Sequence, residues 1–515
     1  MPAAAAKDEL FMGKRIAIID VGSTSIRVII MQINRNGSYR MLDQAKEHVR
    51  LSYRLSRDKH LHKDKMAEAL EAIIIFKALA GAYGAEEIIA VATAAVRLAQ
   101  NGLEFIENVF LATGIKVNII DGHREAYLDC ISAANTIALE DYILIDVGGG
   151  STELALVKDR TPLVLESLPL GSMKLTERFP VNKEADLKKL DNHIDRQLKS
   201  LQGFSAGKGL PVVAVGGSAR TLAKIDKQKL HHPLEGIHNY ILDQETCCKI
   251  YRNLASLPVN KREKVPGLDK KRTDIILGGL APLMGLLRNF EVKEICINGS
   301  GIREGLFFEY YHLNSQSSTG PVVHDVLEHS INNLLLNYDQ NLLHSYHVQA
   351  LALQLFDQLM PLHSLLSGER RILAAASALH DVGRVVNYYN HHMHTFYLVL
   401  HAPLYGLNNR EKTIAAFIGG MHDGSVFSAS IADYRAVLKP GDEGIIRLLS
   451  LLTEIAESLD RSESGHVGSV NCTIGEEMVT IGLIRKNGAA SVEYAATERT
   501  AKKFKRLFKR DLLLA

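Results

Sequence analysis

One pattern in this chain occurs twice. Ile18-Ile19-Asp20-Val21-Gly22-Ser23-Thr24-Ser25 is echoed by Leu144-Ile145-Asp146-Val147-Gly148-Gly149-Gly150-Ser151-Thr152. Each copy is an apolar strand ending in aspartate, then a glycine-containing turn with hydroxyls, then a second β-rich run. A strand-end carboxylate is too costly to bury unpaired, so it predicts a cleft that holds a cation or a water. The glycines admit backbone N–H groups close to an anion, and the hydroxyls add donors. Two such hairpins facing each other form a clamp for a phosphate chain. The repeat spacing predicts a duplicated fold with a cleft between two lobes.

The surroundings agree. Short β-branched runs alternate with amphipathic stretches over the first ~310 residues, which predicts α/β architecture. Strands are expected at 15–19, 28–33, 88–92, 117–120, 142–146, 153–158, 212–215 and 294–298, with helices at 64–83 and 186–201. A Ser-, Asn-, Gly- and Pro-containing stretch, 312–323, reads as a linker. From there to about Asp460 the periodicity is helical. The last 50 residues return to strand-like runs at 478–484 and 490–494 and close on a basic helix, 498–510. The predicted division is 1–124, first lobe; 125–310, second lobe; 311–465, helical domain; 466–515, small α+β domain.

Composition narrows the function classes. Of 515 residues, 46% are hydrophobic and 23% charged, and the formal net charge is +2. That balance supplies no global field for nucleic acid, so anion selectivity must be local. The five cysteines form no C-x-x-C pair, which argues against a zinc knuckle or disulfide framework. The N-terminal stretch lacks a long apolar region, and no run is long enough to span a bilayer. A cytoplasmic protein without a membrane partner is expected.

Further blocks carry a resemblance. The hairpins resemble the phosphate loops of the actin, sugar-kinase and heat-shock chaperone superfamily, a ribonuclease H-like fold. Val91-Ala92-Thr93-Ala94-Ala95-Val96-Arg97, Asp121-Gly122-His123-Arg124-Glu125-Ala126, Leu168-Pro169-Leu170-Gly171-Ser172, Val215-Gly216-Gly217-Ser218-Ala219-Arg220, Lys271-Arg272-Thr273-Asp274 and Gly301-Ile302-Arg303-Glu304-Gly305 follow in order. In that order they resemble the exopolyphosphatase and guanosine pentaphosphate phosphohydrolase family. The resemblance implies a duplicated actin-like α/β core, an HD-like helical domain and a small C-terminal domain. It implies hydrolysis of the terminal phosphoanhydride of polyphosphate, or of guanosine pentaphosphate (pppGpp), with Glu125 as catalytic base and a homodimer as the assembly.

The same resemblance implies Mg2+ on Asp20, Asp146 and Glu153. Phosphate would meet Gly22, Ser23, Thr24, Ser25, Thr93, Gly148, Gly149, Gly150, Ser151, Thr152, Gly216, Gly217 and Ser218, with Arg97 as a charged fork. An ATP-dependent kinase or ATPase of the superfamily is a competing class, and a non-catalytic sensor is another. In the helical region His347, His380-Asp381 and Asp460 resemble the metal-dependent HD pattern, which would take a further divalent metal. His391, His392, His394 and His422 could serve a second metal or a phosphate. The basic tail reads as an amphipathic helix, or as a guide for a polyanion.

Overall fold

A computed structural model describes residues 13–314, 320–338, 341–424, 428–486 and 489–515. The N-terminal stretch 1–12 and part of the expected linker lie outside these residues. The chain divides into two compact units, one of residues 1–231 and 237–326, the other of 232–236 and 327–515.

The first unit holds two sheets of one design. In the first, β1 (Lys14–Val21), β2 (Ile26–Ile33), β3 (Tyr39–Glu47), β4 (Glu87–Ala92) and β5 (Val117–Ile119) are ordered β3-β2-β1-β4-β5. In the second, β6 (Tyr142–Val147), β7 (Thr152–Lys158), β8 (Thr161–Leu168), β9 (Val212–Val215), β10 (Tyr240–Asp243) and β11 (Glu294–Ile297) are ordered β10-β11-β9-β6-β7-β8. Both begin with an antiparallel meander and continue with parallel strands beside its first member. The expected duplication is therefore visible in topology as well as in the repeated motif.

Three strands of this unit were not expected from the sequence: β3, β8 and β10. All three are sheet edges. An edge strand is covered on fewer sides and carries charges, so YRMLDQAKE shows no apolar run.

Helix α1 (Ala94–Leu98) follows β4, and helix α2 (Gly122–Ala134) follows β5. Asp121 caps α2 by accepting the Arg124 N–H at 2.7 Å. Helix α2 is apolar on two faces because it serves both sheets. Leu128 and Ile131 pack with Ile16, Ile18 and Ile29, whereas Cys130 and Ala133 pack with Tyr142, Leu144 and Val213. Helix α3 (Gly216–Lys229) opens directly from β9.

The last helix, α4 (Ile302–Asn314), runs into the expected linker and packs Leu306, Phe307 and Phe308 on the first sheet. The division of the core at Glu125 is a sequence-level proposal; in space, α4 belongs beside β1 and β2.

In the second unit, regular structure between residues 326 and 460 is helical among the described residues. Its main members are α5 (Leu342–Gln358), α6 (Ser367–Ala378), α7 (His391–His401), α8 (Asn409–Gly420) and α9 (Asp442–Ser458). A small sheet follows, ordered β12 (Val467–Ile474), β13 (Met478–Arg485), β14 (Asp511–Leu514). The stretch 490–494, expected as a strand, is instead part of helix α10 (Ser491–Glu498). Helix α11 (Ala501–Phe508) buries Phe504 and Phe508, which explains its apolar positions. Val467, Val479, Ile481 and Phe504 share one hydrophobic cluster with Leu351, Leu373 and Leu452. Residues 466–515 therefore complete the helical unit's core rather than forming a separate one. No helix is long and apolar enough to cross a membrane among the described residues.

Candidate active site

The two repeats close with the same turn. The Gly22 N–H donates to Ser25 O at 3.2 Å, and the Gly148 N–H donates to Ser151 O at 3.0 Å. The turns abut: a Cβ on Gly149 would stand 2.8 Å from Ser23 Cβ and Thr24 Cγ2, so only glycine admits this approach. Gly216 is similarly constrained, with φ +86° and a notional Cβ 2.2 Å from Asp146 Oδ1.

One cleft gathers most of the expected residues. Its walls include Asp20, Gly22 to Ser25, Thr93, Glu125, Asp146, Gly148 to Ser151, Glu153, Gly216 and Gly217. Three expected residues do not line it. Thr152 points to the other face of β7, as strand alternation requires between Ser151 and Glu153, and donates its hydroxyl to Leu170 O at 2.9 Å. Ser218 is buried against Gly279, whose notional Cβ would stand 2.1 Å from Ser218 Oγ. Arg97 pairs with Glu125 and donates to Ile120 O at 2.6 Å. It therefore holds the Glu125 carboxyl instead of forming part of the cleft wall.

Four arginines that the sequence reading gave no role line the same cleft: Arg27, Arg220, Arg272 and Arg303. Three of them lay inside the family-like blocks. Arg27 had its own signal, a cation inside the apolar run IRVIIMQI. Arg220 is anchored by Gly299 O at 2.9 Å and Gly216 O at 3.1 Å. Burial and mutual repulsion pull Arg27 down to about 10, and burial beside Arg27 does the same to Arg272. Such a cluster gains from an anion that relieves it.

Carboxyls share the cleft with the arginines. Burial first, then Glu153, pushes Glu125 up to about 9, against the pull of Arg97. Burial and Asp146 push Glu153 up to about 7. Asp20 and Asp146 are raised chiefly by burial. Asp129, one turn beyond Glu125 on α2, is fully buried, and neither of its carboxyl oxygens has a hydrogen-bond partner. Asp20 Oδ1 and Asp146 Oδ1 are likewise unpartnered. Carboxyl oxygens buried without donors are the donor set a hard divalent cation takes.

Residues 29–314 match the model of the Ppx/GppA phosphatase family, and residues 326–488 match its domain III. The chain belongs to the Ppx/GppA phosphatase family. It is a hydrolase of phosphoanhydrides, and the kinase alternative falls away. A curated relative, guanosine-5'-triphosphate,3'-diphosphate pyrophosphatase of Pseudoalteromonas translucida, is 25% identical over 422 residues, 79% of this chain and 80% of that one. The crystal structure of the Aquifex aeolicus Ppx/GppA family member is 27% identical, with a TM-score of 0.52 over 59% of this chain and 99% of its own. An exopolyphosphatase structure from Cytophaga hutchinsonii shares the fold at 22% identity, with a TM-score of 0.56 over 59% of this chain and 100% of its own.

This family member has a second polar cluster, in its second unit. Of the residues expected there, all but one meet. His380, Asp381 and Asp460 come together, but the histidine from α5 is His344. His347 turns away, its Nε2 lying 2.8 Å from Val467 O. Two histidines three residues apart lie on neighbouring sides of a helix, so spacing alone does not choose between them. His391 and His422 join the cluster, and Glu457 enters from the end of α9 without having been expected. His392 stands beside it, 3.6 Å from Asp423. His394 is on α7 but takes no part in the potential metal-binding groups.

Proposed function

We infer that the chain is an exopolyphosphatase, releasing orthophosphate from the end of inorganic polyphosphate. The observation that carries this reading is a basic extension of the cleft. A second cavity shares Arg27, Gly217, Arg220, Arg272 and Arg303 with the first and continues to Lys46 and Lys224. A phosphate chain is a linear polyanion and matches such a row of cations. Among the described residues no aromatic ring lines either cavity, so neither offers a base a stacking platform.

In this reading the terminal phosphate lies between the two turns, where the backbone N–H groups and hydroxyls of Ser23, Thr24 and Ser151 face it. A cation held by Glu153 would offset the repulsion that raises Glu125, and Glu125, then ionised, takes a proton from a water aligned with the terminal phosphorus. The water oxygen bonds to phosphorus as the bridging P–O bond breaks, and the shortened chain leaves as an anion along the arginines. Arg97 fixes the Glu125 carboxylate for that transfer. Asp20, Asp146 and Glu153 would hold Mg2+, which supplies positive charge to the phosphate oxygens. A homodimer in the cytoplasm completes the proposal.

A specific observation favours the neighbouring substrate: the curated relative named for guanosine-5'-triphosphate,3'-diphosphate matches 79% of this chain. Orthophosphate release from purified polyphosphate and from guanosine pentaphosphate, measured side by side, separates the two. A higher kcat/KM for the nucleotide sinks the polyphosphate reading. Glu125→Gln must abolish whichever activity is found.

A further inference from the structure

We propose that Ser167 is a positioning residue for the hydrolysis: seated under Gly122, its hydroxyl fixes Glu153 so that the cation and Glu125 keep a set separation. This rests on Glu153 as a Mg2+ ligand, as proposed above.

The sheet register carries the argument. Asp146 on β6 stands directly opposite Glu153 on β7, and Glu153 stands directly opposite Ser167 on β8. Directly opposed residues share a face, so the three side chains form one row across the sheet. Asp146 and Glu153 line the cleft, and Ser167 stands behind them, outside its wall. Ser167 Oγ donates to Glu153 Oε1 at 3.0 Å. That bond takes up one oxygen of a buried carboxyl. The other oxygen, Oε2, lies on the side of Gly148, where a Cβ would stand 3.9 Å from it. Gly148 belongs to the cleft wall. Burial and Asp146 favour the neutral acid at Glu153, whereas Ser151 and Ser167 favour the carboxylate that a cation needs.

Ser167 also touches the helix that carries the base. A Cβ on Gly122, the first residue of α2, would collide with Ser167 Cβ and Oγ and would stand 3.7 Å from Arg97 Nη2. Gly122 takes no positive φ, so its backbone does not call for glycine and the close packing does. Arg97 in turn pairs with Glu125, one turn further along α2. Each acid is thus held from outside the cleft wall, Glu125 by Arg97 and Glu153 by Ser167, and the two holders meet at Gly122. In-line attack needs the water beside the base and the phosphate oxygens beside the cation together, and a shift of ~1 Å costs ~100-fold in rate. Hydrogen-bonded outer partners fix carboxylate ligands in this way, and losing one weakens cation binding by ~10- to 100-fold.

The test uses the full chain with Ser167→Ala, Gly122→Ala, the double variant of Gly122→Ala with Ser167→Gly, and Glu153→Gln. Mg2+ binding is measured by calorimetry, and the binding lost in E153Q isolates the cleft cation from any in the second unit. The expected result in S167A is ~10-fold weaker binding at that site, with the Mg2+ concentration for half-maximal turnover raised equally. At saturating Mg2+ its KM for the phosphoanhydride should stay within about twofold of wild type. G122A should show the same loss of affinity although alanine is the better helix former. The double variant should melt like the wild type yet bind Mg2+ as weakly as S167A. Cooperative melting identifies folded variants, and S167A, which removes one oxygen, carries the test if G122A does not fold. Wild-type Mg2+ affinity in S167A overturns the inference, even where turnover falls, and leaves the cation site standing. Equal Mg2+ binding in wild type and E153Q removes that site, and the inference with it.

Discussion

The two polar centres of this chain solve opposite problems. The cleft of the first unit brings Asp20, Glu125, Asp146 and Glu153 together with four arginines, and much of its lining comes from turns between strands. The cluster of the second unit is built from imidazoles at helix ends, each tied through Nδ1 to a carbonyl or carboxylate. A polyanion needs a wide lining of cations and N–H donors, and turns supply them in consecutive residues. A cluster of imidazole rings needs its members at one point, and helix ends bring them from residues far apart in sequence. The first kind of site is written locally in the chain, and the second is not.

The sharpest way to break this comparison is Glu125→Gln. Turnover of the phosphoanhydride should fall ~1,000-fold, while cation binding in the second unit stays unchanged. A steady-state assay with metal analysis on the same sample checks both, and unchanged turnover removes Glu125 from the mechanism. Arg272→Gln should raise KM by ~10-fold or more with a smaller change in kcat, because a charged contact to phosphate is lost. An unchanged KM for polyphosphate would place the chain outside the basic extension.

Lys46 supplies the pH dependence. Burial, Arg27 and Arg272 pull its pKa down to about 7. A lowered lysine pKa means the ammonium is present below that pH and lost above it. KM for polyphosphate should therefore rise between pH 6 and pH 8, by about fivefold for ~1 kcal/mol of lost contact. Lys46→Gln should flatten that rise; a variant that keeps it shows that another group titrates. The smallest effect belongs to His347→Gln, which removes a bond to Val467 O. Melting should shift by the equivalent of ~1 kcal/mol, with bound divalent cation unaltered. Loss of cations in this variant would restore His347 to the cluster.

Much of the first site was legible because the turns repeat. Asp20, Glu125, Asp146, Glu153 and most of the glycines and hydroxyls line the cleft as expected. What the sequence hid there follows from geometry. Thr152 has the composition of a phosphate ligand but the parity of a strand residue facing inward. Arg97 has the charge of a phosphate fork but sits within reach of Glu125. The sheet cores were legible, but the edge strands β3, β8 and β10 were not, since they lack the continuous apolar pattern of a covered strand. In the second unit the HD dipeptide was visible at once. Its partner on α5 was not, because His344 and His347 differ only in the side of the helix they take.

Helix α4 returns the chain to the sheet on which it began. The second lobe is thus threaded into the first, with a polypeptide crossing at each of its ends. A door hung on two pins stays in its frame when one hinge alone would let it sag, and the two crossings tie the lobes in that way. Cutting the chain after Ile297 would draw one pin and strip Leu306, Phe307 and Phe308 from Ile16 and Ile18. The damage from a truncation in the second lobe's far end would then be felt first in the lobe that comes earliest in the sequence.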